Sequence, residues 1–248
     1  ALFHRCPRRR IHVQHCQTHA QRRTEPPAKL RIPVALCATE VVVHMNRRDR
    51  DSQTLPQFQQ TPQQAELTSV QTEGNKLSRY IGTTDEPLCQ EGTEFLHKMD
   101  YPKVQAVYVS PLKRCVQTAE ILFPGEPVHI IEELAECDFG EFENKNYKEL
   151  EGNPHYQEWI DSNGTLPFPG GESREGFKSR NLRGFDRVVS GCIRSHVVEA
   201  ALVIHGGTIM NIMEAYALPK KAFYEWHVGN GCGYLVELEL QDWNDAER

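Results

Sequence analysis

"VQAVYVSPLKRCVQTAEILF", residues 104–123, changes its structural period in the middle. Residues 104–110 form a nearly unbroken apolar run, the pattern of a strand covered on both faces. Pro111 interrupts it, and Leu112, Val116, Ala119, Leu122 and Phe123 then recur at helical spacing. A buried strand running straight into an amphipathic helix is half of a βαβ unit. It predicts an α/β fold, a three-layer sandwich whose central, largely parallel sheet is flanked by helices. The same grammar returns at "AALVIH", residues 200–205, which leads through Gly206-Gly207 into the apolar helix "TIMNIMEAYAL". Residues 128–131 read as a short strand. Residues 232–240 ("CGYLVELEL") alternate as a further one, with Gly229-Asn230-Gly231 as its turn. Residues 173–199 are expected to form one long helix or two in series. Residues 139–172, rich in Gly, Asn, Pro and aromatics, read as a lid-like insertion over the sheet.

The 248-residue chain divides sharply near residue 70. All 17 glycines, 8 tyrosines and 3 tryptophans lie beyond it. Residues 1–70 carry 11 Lys+Arg against 5 Asp+Glu, so this part is +6 and the remainder −12. No helical or alternating period runs through the first part, and its only apolar patch, residues 32–44, has no turn chemistry beside it. Residues 1–67 are therefore expected to be poorly ordered or non-native, and 68–248 to be the folded domain. His12, His15, Cys16 and His19 could ligate zinc or copper, yet no second ligand cluster follows at a zinc-finger spacing. No metal or other cofactor is expected. The arginines of this segment have no interleaved aromatics for base stacking, and the whole chain is −6, so no nucleic-acid partner is expected.

No apolar run approaches a membrane span, and the N-terminus has no signal-peptide h-region, so no membrane partner is expected. The eight cysteines are irregularly spaced with no Cys-x-x-Cys, which reads as reduced thiols of a cytoplasmic protein. Asn163-Gly164-Thr165 fits the glycosylation pattern, but without export the match is read as accidental. Nothing in the sequence fixes an oligomeric state.

Two strand-to-helix junctions carry chemistry at their tips. Ser110-Pro111-Leu112-Lys113-Arg114 sets Arg114 in the first turn of a helix, and His205-Gly206-Gly207-Thr208 sets His205 at a strand end. Ligands of open α/β sheets bind beyond the carboxyl ends of the strands, where helix N-termini favour anions. Together with the Thr72-Glu73-Gly74-Asn75 loop, the two junctions point to phosphate.

The order "TEGN…RYIG…SPLKRCVQTAE…LAECDFGEFE…PGGES…VIHGGTI" resembles the histidine phosphatase superfamily, which includes phosphoglycerate mutases and α-ribazole-phosphate phosphatases. It spans roughly residues 68–243, and the short "LAECDFGEFE" and "PGGES" stretches resemble the small phosphatase branch. The resemblance implies a metal-independent phosphomonoester hydrolase that works through a phosphohistidine on a small phosphorylated metabolite. It implies Arg114 as a phosphate-gripping arginine and His205 as a donor to the transferring phosphoryl group. Glu136 would be the general acid, although Glu132, Glu133, Glu141 and Glu143 show how readily it could be one surface carboxylate among several. Thr72, Asn75 and Gly206 would line the phosphate, and Arg79 and Gly82 would shape the substrate rim.

The family's opening motif, Arg-His-Gly, one variable residue and then Thr/Ser-x-x-Asn, matched on Thr72 and Asn75, places Thr68-Ser69-Val70 where Arg, His and Gly belong. Ser69 thus occupies the position of the missing nucleophile. The family's first strand would fall just before Thr68, where "QQTPQQAE" is a poor central strand because Pro cannot donate to a ladder. The resemblance begins abruptly at residues 70–72, as a frameshift would leave it. Three functions remain open: an impaired phosphatase, a non-catalytic phosphoester-binding or scaffold protein, and, disfavoured by the short loops after Glu136, a mutase.

Overall fold

The computed structural model describes residues 11–16, 72–99, 101, 103–228 and 233–238. In chain order these hold β1 (Ile11–Cys16), α1 (Glu73–Lys76), α2 (Gln90–Leu96), β2 (Ala106–Val109), α3 (Lys113–Leu122) and β3 (Val128–Ile130). Then come α4 (Pro154–Asp161), α5 (Arg174–Arg194), β4 (Ala200–Val203), α6 (Gly206–Tyr216), β5 (Ala217–Leu218) and β6 (Gly233–Leu238).

β2 is the middle of a parallel sheet ordered β3-β2-β4, with Val107 opposite both Val128 and Ala201. Every residue of β2 and β4 is buried, which is why both read as continuous apolar runs rather than alternations. The step from β2 to β3 goes one way across the sheet, and the step from β3 to β4 goes the other. Right-handed crossovers taken in opposite directions place α3 and α5 on opposite faces, giving helix, sheet and helix layers. On the α5 face the packing is close: Cys192 Sγ lies 3.4 Å from the Tyr108 hydroxyl of β2.

The helices begin and end on local chemistry. α5 is one helix, capped by the Ser173 hydroxyl, which accepts from Gly176 N. Its Phe177, Asn181, Gly184, Phe185, Val188, Val189 and Cys192 form a single buried stripe at helical spacing. α4 starts with Asn153 as cap and proline in its first turn. α3 has no cap of its own; instead Asp85 Oδ1 accepts from Lys113 N at 2.6 Å.

A second sheet is ordered β5-β1-β6. β1 runs antiparallel to β6, from Ile11 opposite Leu238 to Cys16 opposite Gly233, and parallel to β5. β1 is the described part of residues 1–67, a segment expected from the sequence to be poorly ordered or non-native. Six residues are too few to show a period, and β6, whose alternation was legible, supplies the ladder. The remainder of that segment, including the patch at 32–44 and "QQTPQQAE", lies outside the described residues, as does the Gly229-Asn230-Gly231 turn.

The insertion at 139–172 is a packed cap built around aromatic side chains. Tyr80 sits among Phe139, Phe142, Tyr156 and Trp159 at ring-centroid distances of 5.3, 6.2, 6.4 and 6.4 Å, and Phe142 is fully buried. Backbone bonds from Tyr80 N to Lys145 O (2.9 Å) and from Asn144 N to Tyr80 O (2.8 Å) tie the cap to the chain before α2.

The core sits between β2, β4 and the stripes of α3, α5 and α6. Leu202 of β4 is fully buried, whereas Ile130 of the edge strand β3 is 55% exposed. Leu202→Ala should lower the urea-unfolding free energy by about 2–5 kcal/mol. Ile130→Ala should stay within roughly 0.5 kcal/mol of the parent.

Candidate active site

Because β2 and β4 are parallel neighbours in register, their carboxyl ends emerge side by side, and Ser110 N donates to Val203 O at 3.0 Å. The chain after β2 enters α3 and delivers Arg114; the chain after β4 delivers His205, the residue preceding α6. The two side chains meet with Arg114 Nη2 3.3 Å from His205 Nδ1, and both are fully buried. An arginine in the first turn of a helix is ordinarily solvated. This one is not, because the preceding loop lines it with acceptors. Arg114 Nη1 donates to Thr84 O (3.0 Å), and Nη2 donates to Gly82 O (3.1 Å) and Ile81 O (3.3 Å).

Arginine can only donate, so Nδ1 of His205 must be the bare, accepting nitrogen. Its proton is then on Nε2, which lies 2.6 Å from the Ser110 hydroxyl and 3.4 Å from the Cys115 thiol. Burial, and after it the charges of Arg114 and Arg180, hold the His205 pKa well below the ordinary imidazole value. The site therefore contains a neutral imidazole of defined tautomer.

Glu136 reaches the same corner from another direction. It follows the 3₁₀ turn at Glu132–Leu134. Its Oε2 accepts from Gly207 N in the first turn of α6 at 3.0 Å, and its Oε1 accepts from Cys137 N at 2.8 Å. Gly207 makes the approach possible: a Cβ there would lie 2.5 Å from Glu136 Oε1 and 3.0 Å from the Phe177 ring. Burial raises the Glu136 pKa, against the opposing pull of the two N–H donors and the more distant Arg114 and Arg180. A carboxyl that holds its proton beyond the usual range, next to a helix N-terminus, can serve as a proton donor.

The backbone that presents Glu136 is clamped. Arg180 of α5 donates to the carbonyls of Glu133, Ala135 and Glu136 at 3.0, 2.9 and 3.0 Å. Its other edge grips the Glu172 carboxylate at 2.9 and 2.6 Å. Asn181 Nδ2 adds a bond to Glu133 O at 3.0 Å. Sequence reasoning missed Arg180, Glu172 and Ser110 as site-building residues. Glu172 sits inside the quoted "PGGES" and Ser110 inside "SPLKR", so the motifs contained them without revealing what they hold.

The other expected residues are placed as follows. Gly206 opens α6 beside His205. Thr72 and Asn75 cap α1 reciprocally: Thr72 Oγ1 accepts from Asn75 N at 3.2 Å, and Asn75 Oδ1 accepts from Thr72 N at 3.2 Å. The cap joins the two residues through Thr72 N, Thr72 Oγ1, Asn75 N and Asn75 Oδ1, and the Asn75 amide nitrogen is the atom that it does not use. Gly82 is buried, and a Cβ on it would run into the Cys137 carbonyl oxygen, so it serves close packing beside Arg114. Arg79 pairs with Glu149 (2.7 Å) and Asn144 Oδ1 (3.1 Å), fastening the cap. Thr68, Ser69 and Val70 lie outside the described residues, as do the side chains of His12, His15, Cys16 and His19. Among the described residues one group has metal-ligand spacing, Glu73, Cys89 and Glu91, and the Lys76 ammonium already sits between its carboxylates at 3.0 and 2.6 Å.

A parallel α/β sheet with arginine, histidine and carboxyl gathered beyond its strand ends is the arrangement of a phosphate-handling enzyme class. The model of the histidine phosphatase superfamily (branch 1) matches residues 70–245, and the chain belongs to that family. It is 27% identical over 179 residues to the adenosylcobalamin/α-ribazole phosphatase of Salmonella typhimurium, covering 68% of this chain and 86% of that one. It is 32% identical over 156 residues to a candidate phosphoserine phosphatase 2 of Hydrogenobacter thermophilus, covering 58% and 73%. The crystal structure of the α-ribazole phosphatase from Shigella flexneri superposes with a TM-score of 0.57 at 26% identity, covering 66% of this chain and 84% of that one. The phosphatase lineage is thus established. No helix among the described residues is long and apolar enough to cross a membrane.

The two titrating groups act on stability in opposite directions. The depressed His205 pKa means the native state binds fewer protons than the unfolded chain, so its contribution is lost as pH falls below about 6.5. The raised Glu136 pKa means the reverse: its contribution is present below about 4.5 and is lost as pH rises through the folded value. Nitrogen NMR at pH 5.5 should still find His205 neutral with its proton on Nε2. As pH rises above about 4.5, Glu136→Gln should lose less stability than the parent chain.

Proposed function

We propose that this chain is a phosphomonoesterase-lineage domain that binds a small phosphorylated metabolite but is impaired in phosphoryl transfer. The observation that carries the reading is the Thr68-Ser69-Val70 sequence at the position of the family's Arg-His-Gly, combined with the Arg114–His205–Glu136 cluster. Hydrolysis by this lineage needs a nucleophile to attack phosphorus, cations to hold the equatorial oxygens, and an acid to protonate the leaving oxygen. Arg114 supplies one cation, and Glu136 has the environment of the acid. The nucleophile and the second cation are the missing parts.

Ser69 is a weak substitute. A serine hydroxyl needs a neighbouring base, and the one bare nitrogen of His205 faces Arg114. His205 meets phosphate as a donor through Nε2–H only by giving up its bond to the Ser110 hydroxyl. The ligand is a phosphomonoester held by arginine and backbone N–H groups, without a metal, in a cytoplasmic protein. The relatives named for α-ribazole phosphate and for phosphoserine share only that chemistry.

Hydrolysis of p-nitrophenyl phosphate should be at background for this chain. The triple variant Thr68→Arg, Ser69→His, Val70→Gly should turn over and trap acid-labile phosphate on residue 69. Loss of a nucleophile from a hydrolase costs on the order of 10⁶ in kcat, so the contrast should be plain. Comparable turnover by the unmodified chain would overturn the reading.

A further inference from the structure

Glu143 looked from the sequence like one surface carboxylate among several. In the structure it collects five donors. Oε2 accepts from Gly82 N (3.2 Å), Thr84 N (3.4 Å) and the Thr84 hydroxyl (2.7 Å). Oε1 accepts from Thr83 N (2.8 Å) and Phe139 N (3.2 Å). The same loop turns its carbonyls the other way, and those of Ile81, Gly82 and Thr84 are the ones that hold the Arg114 guanidinium.

Loop 81–84 is therefore a layer of peptide groups with a carboxylate on its N–H side and a guanidinium on its C=O side. Hydrogen bonds in series polarise one another, so negative charge at Glu143 strengthens the Ile81 and Gly82 carbonyls, whose peptide N–H groups it accepts from, as acceptors for Arg114. The next residue, Asp85, accepts from Lys113 N and so fixes the start of the helix that carries Arg114. Gly82 has no room for a side chain between the Cys137 carbonyl and Glu143, which leaves the loop little freedom to relax if the carboxylate is removed.

We propose that Glu143 is a positioning residue: through loop 81–84 it sets where Arg114 presents its guanidinium. Its functional meaning rests on Arg114 being the phosphate cation. Glu143 touches no substrate in this scheme. It acts on phosphate affinity through a side chain it does not contact.

The test uses the full chain with ¹⁵N-labelled arginine, the Arg114 Nε–H signal being assigned by its loss in Arg114→Lys. In Glu143→Ala the signal should move and exchange faster with water, and affinity for inorganic phosphate should fall about tenfold, the loss of roughly one net hydrogen bond. Added formate, a carboxylate small enough for the vacated position, should restore both. Thr84→Ala, which removes one hydroxyl donor, should shift the signal in the same direction. Glu91→Gln, on the exposed partner of Lys76, should leave it in place.

An unmoved Arg114 signal in folded Glu143→Ala would reject the proposal, and so would a change that formate does not reverse. Should Glu143→Ala fail to fold, an unshifted signal in Thr84→Ala rejects it equally. If the parent chain binds no phosphate, the phosphate reading fails, while the Arg114 signal still decides the positioning role.

Discussion

The constraint on which this structure turns is a permanent charge out of water. Arg114 has no solvent exposure and cannot discharge itself by losing a proton. Burying an unpaired ion costs several kcal/mol or more even after relaxation, so the surrounding chain must be arranged as its solvent. It is arranged from two sides. Loop 81–84 gives carbonyl dipoles, and His205 gives the lone pair of a neutral ring. Burial keeps the ring neutral, and the same charge reinforces it, because a cationic imidazole 3.3 Å from a guanidinium would be repelled.

Glu136 is the complementary case. It lies within the field of two arginines, which would favour ionisation, yet burial outweighs them and leaves its pKa raised. Position makes the difference. Its two acceptor bonds go to single N–H groups, and the guanidinium of Arg180 is spent on the backbone behind it and on Glu172. The carboxyl is thereby fixed in place without being fully neutralised, a requirement for an acid that must later give up a proton.

Much of this was legible in the sequence, for identifiable reasons. The runs at 104–110 and 200–205 are unbroken because both faces of β2 and β4 are covered, and the helix after each carries its own stripe. Arg114, His205 and Glu136 were singled out because they stand at strand ends or inside a recognisable motif order. What remained hidden depends on contacts remote in sequence. Arg180 is one arginine on a long helix until its carbonyl partners, more than forty positions earlier, are seen. Glu143 lies some sixty positions from the amides it gathers. Thr72 and Asn75, expected to line the phosphate, also form a helix capping box, which the motif alone did not reveal. β1 was missed because six residues of mixed polarity carry no period, and its pairing is dictated by β6.

The aromatic cap has a mechanical consequence. Tyr80, the residue at the centre of that cluster, is joined directly to Ile81, whose carbonyl begins the cradle of Arg114. No flexible joint separates the two. Cap and cradle should therefore open and close as one cooperative unit, with amide protection rising and falling together from Tyr80 through Thr84 and across 139–145. Access to the interior would then be governed by the melting of a small hydrophobic cluster, and temperature rather than charge would be its natural control.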